Sequence, residues 1–349
     1  MGAVRPSRAG VGVNAIDPRS IKPHSGAART TLRIGLINNM PVAASSATER
    51  QFRQVLAEAR NEQDVDFLCF RPNLGDMGDG PSALAEIFEA ELDGVIVTGT
   101  EPLSSNLREE PIWSLITRLA DFAEEHALPV IWSCLAAHAA ILYLDGVDRV
   151  RLDSKLSGLY KGQVVASDHP LVQGLDAWAV PHSRCNDLPE EALLASGYQV
   201  LLRSPGAGVD LFQKASNPEF VFLQSHPEYD SDSLRREFQR DVRRFLAGER
   251  RDPPARPQYY FESMSAFLPP LPDDWSMVRR ENAEAILAWL GRCAEQSVQA
   301  PWRPTAVAFY RNWLTGLSAR KAPVESNAPG YTDHALHQHD LQEPGLVAC

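Results

Sequence analysis

One stretch of the chain, Val130-Ile131-Trp132-Ser133-Cys134-Leu135-Ala136-Ala137-His138, ends an apolar run at a cysteine and continues at once in small residues. A β-strand that turns directly into a helix at such a residue forms a nucleophile elbow, which exposes the side chain on a sharp turn. Backbone N–H groups beside the turn, and the N-terminus of the new helix, stabilise a thiolate and a developing oxyanion. Taken alone, the segment fits a buried cysteine at a strand end equally well. Further on, Gln224-Ser225-His226-Pro227-Glu228-Tyr229-Asp230 follows a second apolar run. His226 has the chemistry of a general base toward Cys134, and Glu228, two residues on, that of the group holding the imidazole tautomer. A lone His-x-Glu is more often a turn than a site; a cysteine elbow upstream gives it weight.

Those residues need elements to position them. Apolar runs at 32–38, 65–70, 94–99 and 128–133 read as strands, and the segments 47–59, 83–91 and 110–126 between them as helices. Short buried strands alternating with helices imply right-handed βαβ crossovers, so the expected fold is α/β: an open, mostly parallel sheet with helices on both faces. After Leu144 turn signals multiply, with short strands at 163–167 and 199–203, a buried strand at 220–225 and a helix at 231–246. Residues 252–274 are proline-rich and read as a wrap, and 282–296 and 304–317 as a C-terminal helical extension. The division is a disordered segment 1–30, a catalytic domain 31–250, a wrap with closing helices 251–319 and a disordered tail 320–349.

The 349 residues carry a net charge of −11 and are 44% hydrophobic. That balance argues against nucleic acid and anionic membrane surfaces as partners. It also requires a local cationic pocket for any anionic substrate. No apolar run of about 18 residues and no secretory layout is present, so a cytoplasmic protein is expected. Five cysteines at odd count, without a C-x-x-C pair or zinc spacing, read as reduced thiols with no metal. His138 reads as packing behind the elbow, His182 as marginal, Cys69 and Cys185 as structural thiols, and His334, His337 and His339 as tail residues.

A cysteine elbow followed by His-Pro-Glu resembles the class I glutamine-amidotransferase fold, a flavodoxin-like sheet. Within it the strings Ile37-Asn38-Asn39-Met40-Pro41, Val97-Thr98-Gly99, Lys155-Leu156-Ser157-Gly158, Pro181-His182-Ser183-Arg184, His226-Pro227-Glu228-Tyr229-Asp230 and Phe309-Tyr310-Arg311-Asn312-Trp313-Leu314 are similar to landmarks of the homoserine O-succinyltransferases. The resemblance covers about residues 32 to 317. It implies catalysis by Cys134, His226 and Glu228, and substrate binding by Lys155, Ser183 and Arg240. Without it, Lys155 and Arg240 would read as surface charges and Ser183 as a cap in a Pro-His-Ser turn. The implied reaction is ping-pong acyl transfer from acyl-CoA, a co-substrate rather than a bound cofactor, to the hydroxyl of L-homoserine, feeding methionine synthesis. A homodimer is left open.

The chain departs from this pattern in three places. Residues 42–49 form a longer insert after Met-Pro, the elbow reads Ser-Cys-Leu-Ala, and Leu103 falls where the family carries its residue associated with acyl choice, glycine for succinyl and glutamate for acetyl. Leu103 there favours succinyl weakly, by not repelling a second carboxylate. Arg108 or an amide near Thr100 would then receive that carboxylate. Rival readings are a glutaminase feeding a synthetase partner, a serine-directed O-acyltransferase and a catalytically silent binding protein on the same scaffold.

Overall fold

The computed structural model describes residues 31–72, 82–175, 178–261, 284–288, 291–292 and 300–321. Among them, strands β1 (Leu32–Ile37), β2 (Val65–Phe70), β3 (Gly94–Val97), β4 (Val130–Ser133), β5 (Val150–Val164), β6 (Trp178–Asp187), β7 (Tyr198–Ser204), β8 (Gly208–Lys214) and β9 (Asn217–Leu223) form a nine-stranded sheet in the order β2-β1-β3-β4-β9-β8-β7-β5-β6. The first five in that order are parallel, as expected. The remaining four run antiparallel to their neighbours, which extends the parallel half with hairpin-like pairing.

Among the described residues the sheet is accompanied by helices α1 (Val42–Ala59), α2 (Ser82–Glu89), α3 (Trp113–Glu125), α4 (Leu135–Asp145), α5 (Glu190–Ala195), α6 (Ser233–Leu246) and α7 (Arg303–Lys321). Successive strand residues point to opposite faces. Ile96 and Ile131 therefore enter one core with Phe52 and Val55 of α1, Phe238 of α6 and Phe309 of α7. Val95, Val97, Val130 and Trp132 enter the other with Leu115, Ile116 and Leu119 of α3 and the first two turns of α4. Strands with both faces covered have to be apolar throughout, and β3 and β4 are buried along their whole length. α4 is likewise buried continuously from Leu135 to Leu142 and ends at Gly146, whose φ of 69° suits a left-handed cap.

Three local expectations change. The insert 42–49 is the opening of α1, which starts at Val42 rather than at 47. The Pro-His-Ser stretch is not a turn: Pro181, His182 and Ser183 lie inside β6, with Ser183 opposite Ser157 of β5. β6 is the last strand in the order, and an edge strand tolerates a proline because one of its sides needs no ladder bond. The closing helix read at 304–317 is longer, Arg303–Lys321. Of the helix read at 282–296, residues 284–288 and 291–292 are helical and the rest lies outside the described residues, as do residues 1–30 and 322–349; Arg320 and Lys321, read as the start of the tail, belong to α7.

The wrap docks through its backbone. Gln258 N–H donates to Ser157 O at 2.8 Å and Leu159 N–H to Gln258 O at 2.9 Å. Gly158 between them has φ +143°, and a Cβ there would lie 2.3 Å from Gln258 O. Gly158→Ala should therefore release the wrap and cost on the order of 1–3 kcal/mol. Thermal unfolding together with limited proteolysis around residue 258 checks this, and unchanged values for both would reject it.

Candidate active site

Cys134 sits between β4 and α4 with φ 53° and ψ −116°, a conformation unfavourable for a residue with a side chain. Several contacts hold it there. Cys134 N–H donates to Leu223 O of β9 at 2.7 Å, and His138 N–H to Cys134 O at 3.2 Å. Gly99, at the start of the loop leaving β3, presses against the elbow so closely that a Cβ on it would stand 2.8 Å from Leu135 N. A glycine at 99 thus leaves room around the first amide of α4, where an oxyanion would be received. His138 is buried behind the elbow with Nε2 2.8 Å from Gln224 Oε1, and burial pushes its pKa down to about 3. It is a neutral packing residue, as its position one turn along the helix suggested.

Because β4 and β9 are parallel neighbours with Ser133 opposite Leu223, the chain leaving β9 passes beside the elbow. The loop that follows carries His226. Its N–H donates to Pro181 O at 2.8 Å, Ser225 N–H donates to Asp210 Oδ1 at 2.9 Å, and Trp302 Nε1 donates to Tyr229 O at 3.0 Å. The edge strand and the start of the closing helix both fix the loop in this way. His226 Nδ1 lies 2.9 Å from Glu228 Oε1, and the ring is stacked on Tyr229 at 4.4 Å between centroids. Burial alone would favour the neutral imidazole, but the Glu228 carboxylate and the Cys134 sulfur, a charge and hydrogen-bond partner, outweigh it and hold the His226 pKa well above its ordinary value. The imidazolium form of His226 is therefore favoured.

Cys134, His226 and Glu228 line a cleft of about 540 Å³ together with Lys155, Ser183 and Arg240. All six residues singled out in the sequence for catalysis and substrate binding are thus brought to one place. Around the last three is a dense ionic cluster that the sequence reading did not foresee. Lys155 Nζ lies 2.8 Å from Asp241 Oδ2 and 3.5 Å from Glu237 Oε2. Ser183 Oγ and the Tyr229 hydroxyl both donate to Glu237, and Arg240 and Arg250 reach Asp241 at 3.2 and 3.0 Å. Burial opposes the charges of Glu237, Asp241, Lys155 and Arg240. The neighbouring cations nevertheless hold the Glu237 and Asp241 carboxyls below their ordinary values, and the two carboxylates hold Lys155 above its own. A signal was available: Glu237, Arg240, Asp241 and Arg244 recur at i, i+3, i+4 and i+7 on α6, one helical face.

Other expectations are corrected. The Leu103 side chain is 78% exposed and outside the cleft; its N–H is held by the buried Glu110 carboxylate at 3.0 Å, which turns the loop so that Thr100, Glu101 and Pro102 face the cleft instead. Glu101 pairs with Arg244 across its mouth. Arg108 lies over the Trp113 ring at 5.7 Å and does not line the cleft. His182 is fully buried beside Asp210, at 3.5 Å. Cys69 behaves as a structural thiol, its pKa pushed up to about 11 by burial and by Glu49. Cys185, expected to be structural, is half-buried and lines the cleft, because it shares the Ser183 side of β6. Among the described residues there is no cluster suited to a metal, and no helix is long and apolar enough to cross a membrane.

Fold and site together describe an α/β enzyme architecture with a cysteine at a strand-to-helix elbow, beside a histidine and a glutamate from the loop that follows the adjacent strand. The chain belongs to the homoserine O-succinyltransferase family, whose model matches residues 24–324. It is 40% identical over 320 residues to the homoserine O-succinyltransferase of Rhodopseudomonas palustris, covering 87% of this chain and 94% of that one. It is 42% identical over 303 residues to that of Methylorubrum extorquens, covering 83% and 88%. Among solved structures, a glutamine amido transferase from Methylobacillus flagellatus aligns with a TM-score of 0.46 and 16% identity, over 88% of this chain and 99% of that one.

Glu228→Gln should keep the imidazole oriented while removing the charge that raises its pKa. The His226 titration midpoint, followed by NMR, should move down from its raised value toward about 6.5; a midpoint that stays put would show that the carboxylate charge is not what holds it.

Proposed function

We propose that this chain transfers a succinyl group from succinyl-CoA to the hydroxyl of L-homoserine through a thioester on Cys134. The observation that carries the reading is the thiol, the imidazole and the half-buried Lys155–Ser183–Arg240–Glu237 cluster sharing one cleft in a member of this family. In the first half-reaction the Cys134 thiolate attacks the acyl-CoA carbonyl, and the oxyanion rests near the Leu135 amide. The carbon–sulfur bond to coenzyme A then breaks, and the leaving thiolate takes the proton of the His226 imidazolium. In the second, neutral His226 accepts the homoserine hydroxyl proton, the alkoxide attacks the thioester, and Cys134 departs as thiolate. Glu228 stabilises the imidazolium in both.

The cluster suits an amino acid. Glu237 offers a carboxylate to the ammonium group, and Arg240 and Lys155 offer cations to the carboxylate. The acceptor side is therefore assigned to β5, β6 and α6. A glutaminase is disfavoured because its elbow is glycine-rich, whereas Trp132-Ser133-Cys134-Leu135-Ala136 holds no glycine.

Intact-protein mass spectrometry after mixing with succinyl-CoA, without homoserine, should show one succinyl adduct, absent in Cys134→Ala, which should also lose turnover by several orders of magnitude. An adduct retained in that variant would sink the assignment. For the acceptor side, Arg240→Gln should raise KM for homoserine about tenfold or more while adduct formation from succinyl-CoA proceeds at a similar rate. Loss of both half-reactions together would place Arg240 elsewhere.

A further inference from the structure

We propose that Arg149 receives the distal carboxylate of the acyl chain and so makes the site selective for a dicarboxylic acyl donor. This rests on the acyl-transfer reading above and names the residue that sets its donor. Arg149 lies in the connection between α4 and β5 and lines the same cleft as Cys134. Its Nη2 donates to the carbonyls of Ser104 at 3.0 Å and Ser105 at 3.3 Å, which ties the side chain to the loop leaving β3. Its Nε and Nη1 are buried, and among the described residues neither has a hydrogen-bond partner. Buried donors are seldom left this way, and each unmade bond is costly.

The other half-buried or buried cations of the cleft already face carboxylates. Lys155, Arg240 and Arg250 contact Asp241, Arg244 contacts Glu101, and Arg184 contacts Asp187 at 2.9 Å. Among the described residues Arg149 makes no ion pair, although Glu110 and Asp148 lie close enough to act on its charge. The nearby Glu110 carboxylate is taken by the N–H groups of Leu103 and Ser104, and the Asp148 carboxylate by the Arg149 backbone N–H at 2.8 Å. Two unpaired N–H groups leave the guanidinium with donors still to offer, and a carboxylate is the acceptor that a cation favours most.

The position suits the acyl end of the substrate. Burial pushes the Arg149 guanidinium down from its ordinary value, while Glu110, Asp148 and Cys134 oppose that shift. Arg149 also acts on His138, one turn past the elbow. It is tied to the loop from β3, whereas the acceptor groups come from β5, β6 and α6. An acyl group held on Cys134 would thus have its far end beside Arg149, leaving Lys155, Ser183 and Arg240 to the amino acid.

The test compares kcat/KM for succinyl-CoA with that for butyryl-CoA, in which a methyl replaces the distal carboxylate at the same chain length. Wild type should favour succinyl-CoA. In Arg149→Met that preference should fall roughly 10- to 100-fold, and in Arg149→Lys by less, since a cation without the planar fork remains. Should Arg149→Met fail to fold, the wild-type ratio and the lysine variant still decide. A wild type indifferent to the carboxylate, or a ratio unchanged in the variants, overturns the role of Arg149 while an acyl adduct on Cys134 leaves the acyl-transfer reading standing. No adduct from any acyl-CoA takes both down.

Discussion

The parallel pairing of β4 with β9 is the constraint on which the site depends. Its register sets Ser133 opposite Leu223, so the two strands end together and their next residues are Cys134 and Gln224. A slip of one residue would turn the side chains of one strand to the opposite face and carry His226 away from the thiol. The pairing is secured by burial on both sides: Ile131 and Val221 face one core, and Trp132, Phe220 and Phe222 the other. Cys134 N–H is the last rung of that ladder, and the strained backbone at the elbow begins where the ladder stops. Strain at such a point persists only when its surroundings over-determine it. Here Gly99, His138 and Gln224 do so.

The antiparallel half of the sheet has a different task. It brings Ser183 and Lys155, from β6 and β5, up to α6, and it supplies Pro181 O as an anchor for the His226 amide. The cost of drawing Lys155, Glu237, Asp241 and Arg240 partly out of water is offset by mutual pairing and by the hydroxyl groups of Ser183 and Tyr229. Tyr229 belongs to both halves: its ring stacks on His226, its hydroxyl binds Glu237, and its carbonyl is held by Trp302. A chain with net charge −11 thereby assembles a local cationic wall without leaving those cations unmatched.

Two readings of the loop after β3 show how contacts override counting. Leu103 was placed at the acyl end by counting along the chain. Glu110 accepts the N–H groups of Leu103 and Ser104, and this turn sends the leucine into solvent. The same loop offers two carbonyls to Arg149, which no motif had marked.

The sequence by itself determined the parallel half of the fold, the elbow at Cys134 and the His226–Glu228 pair, because each is written locally. Continuous apolar runs specify strands covered on both faces, and a nucleophile directly at a strand end has few other structural meanings. Family resemblance placed Lys155, Ser183 and Arg240, which local pattern alone would have left as surface charges and a cap. Only the tertiary structure decided that Pro181-His182-Ser183 is an edge strand, that Glu237, Asp241 and Arg149 belong to the cleft and that Leu103 does not. Those outcomes depend on which distant groups remain to satisfy a buried donor or charge, and that pairing is set when β5, β6, α6 and the loop after β3 pack together.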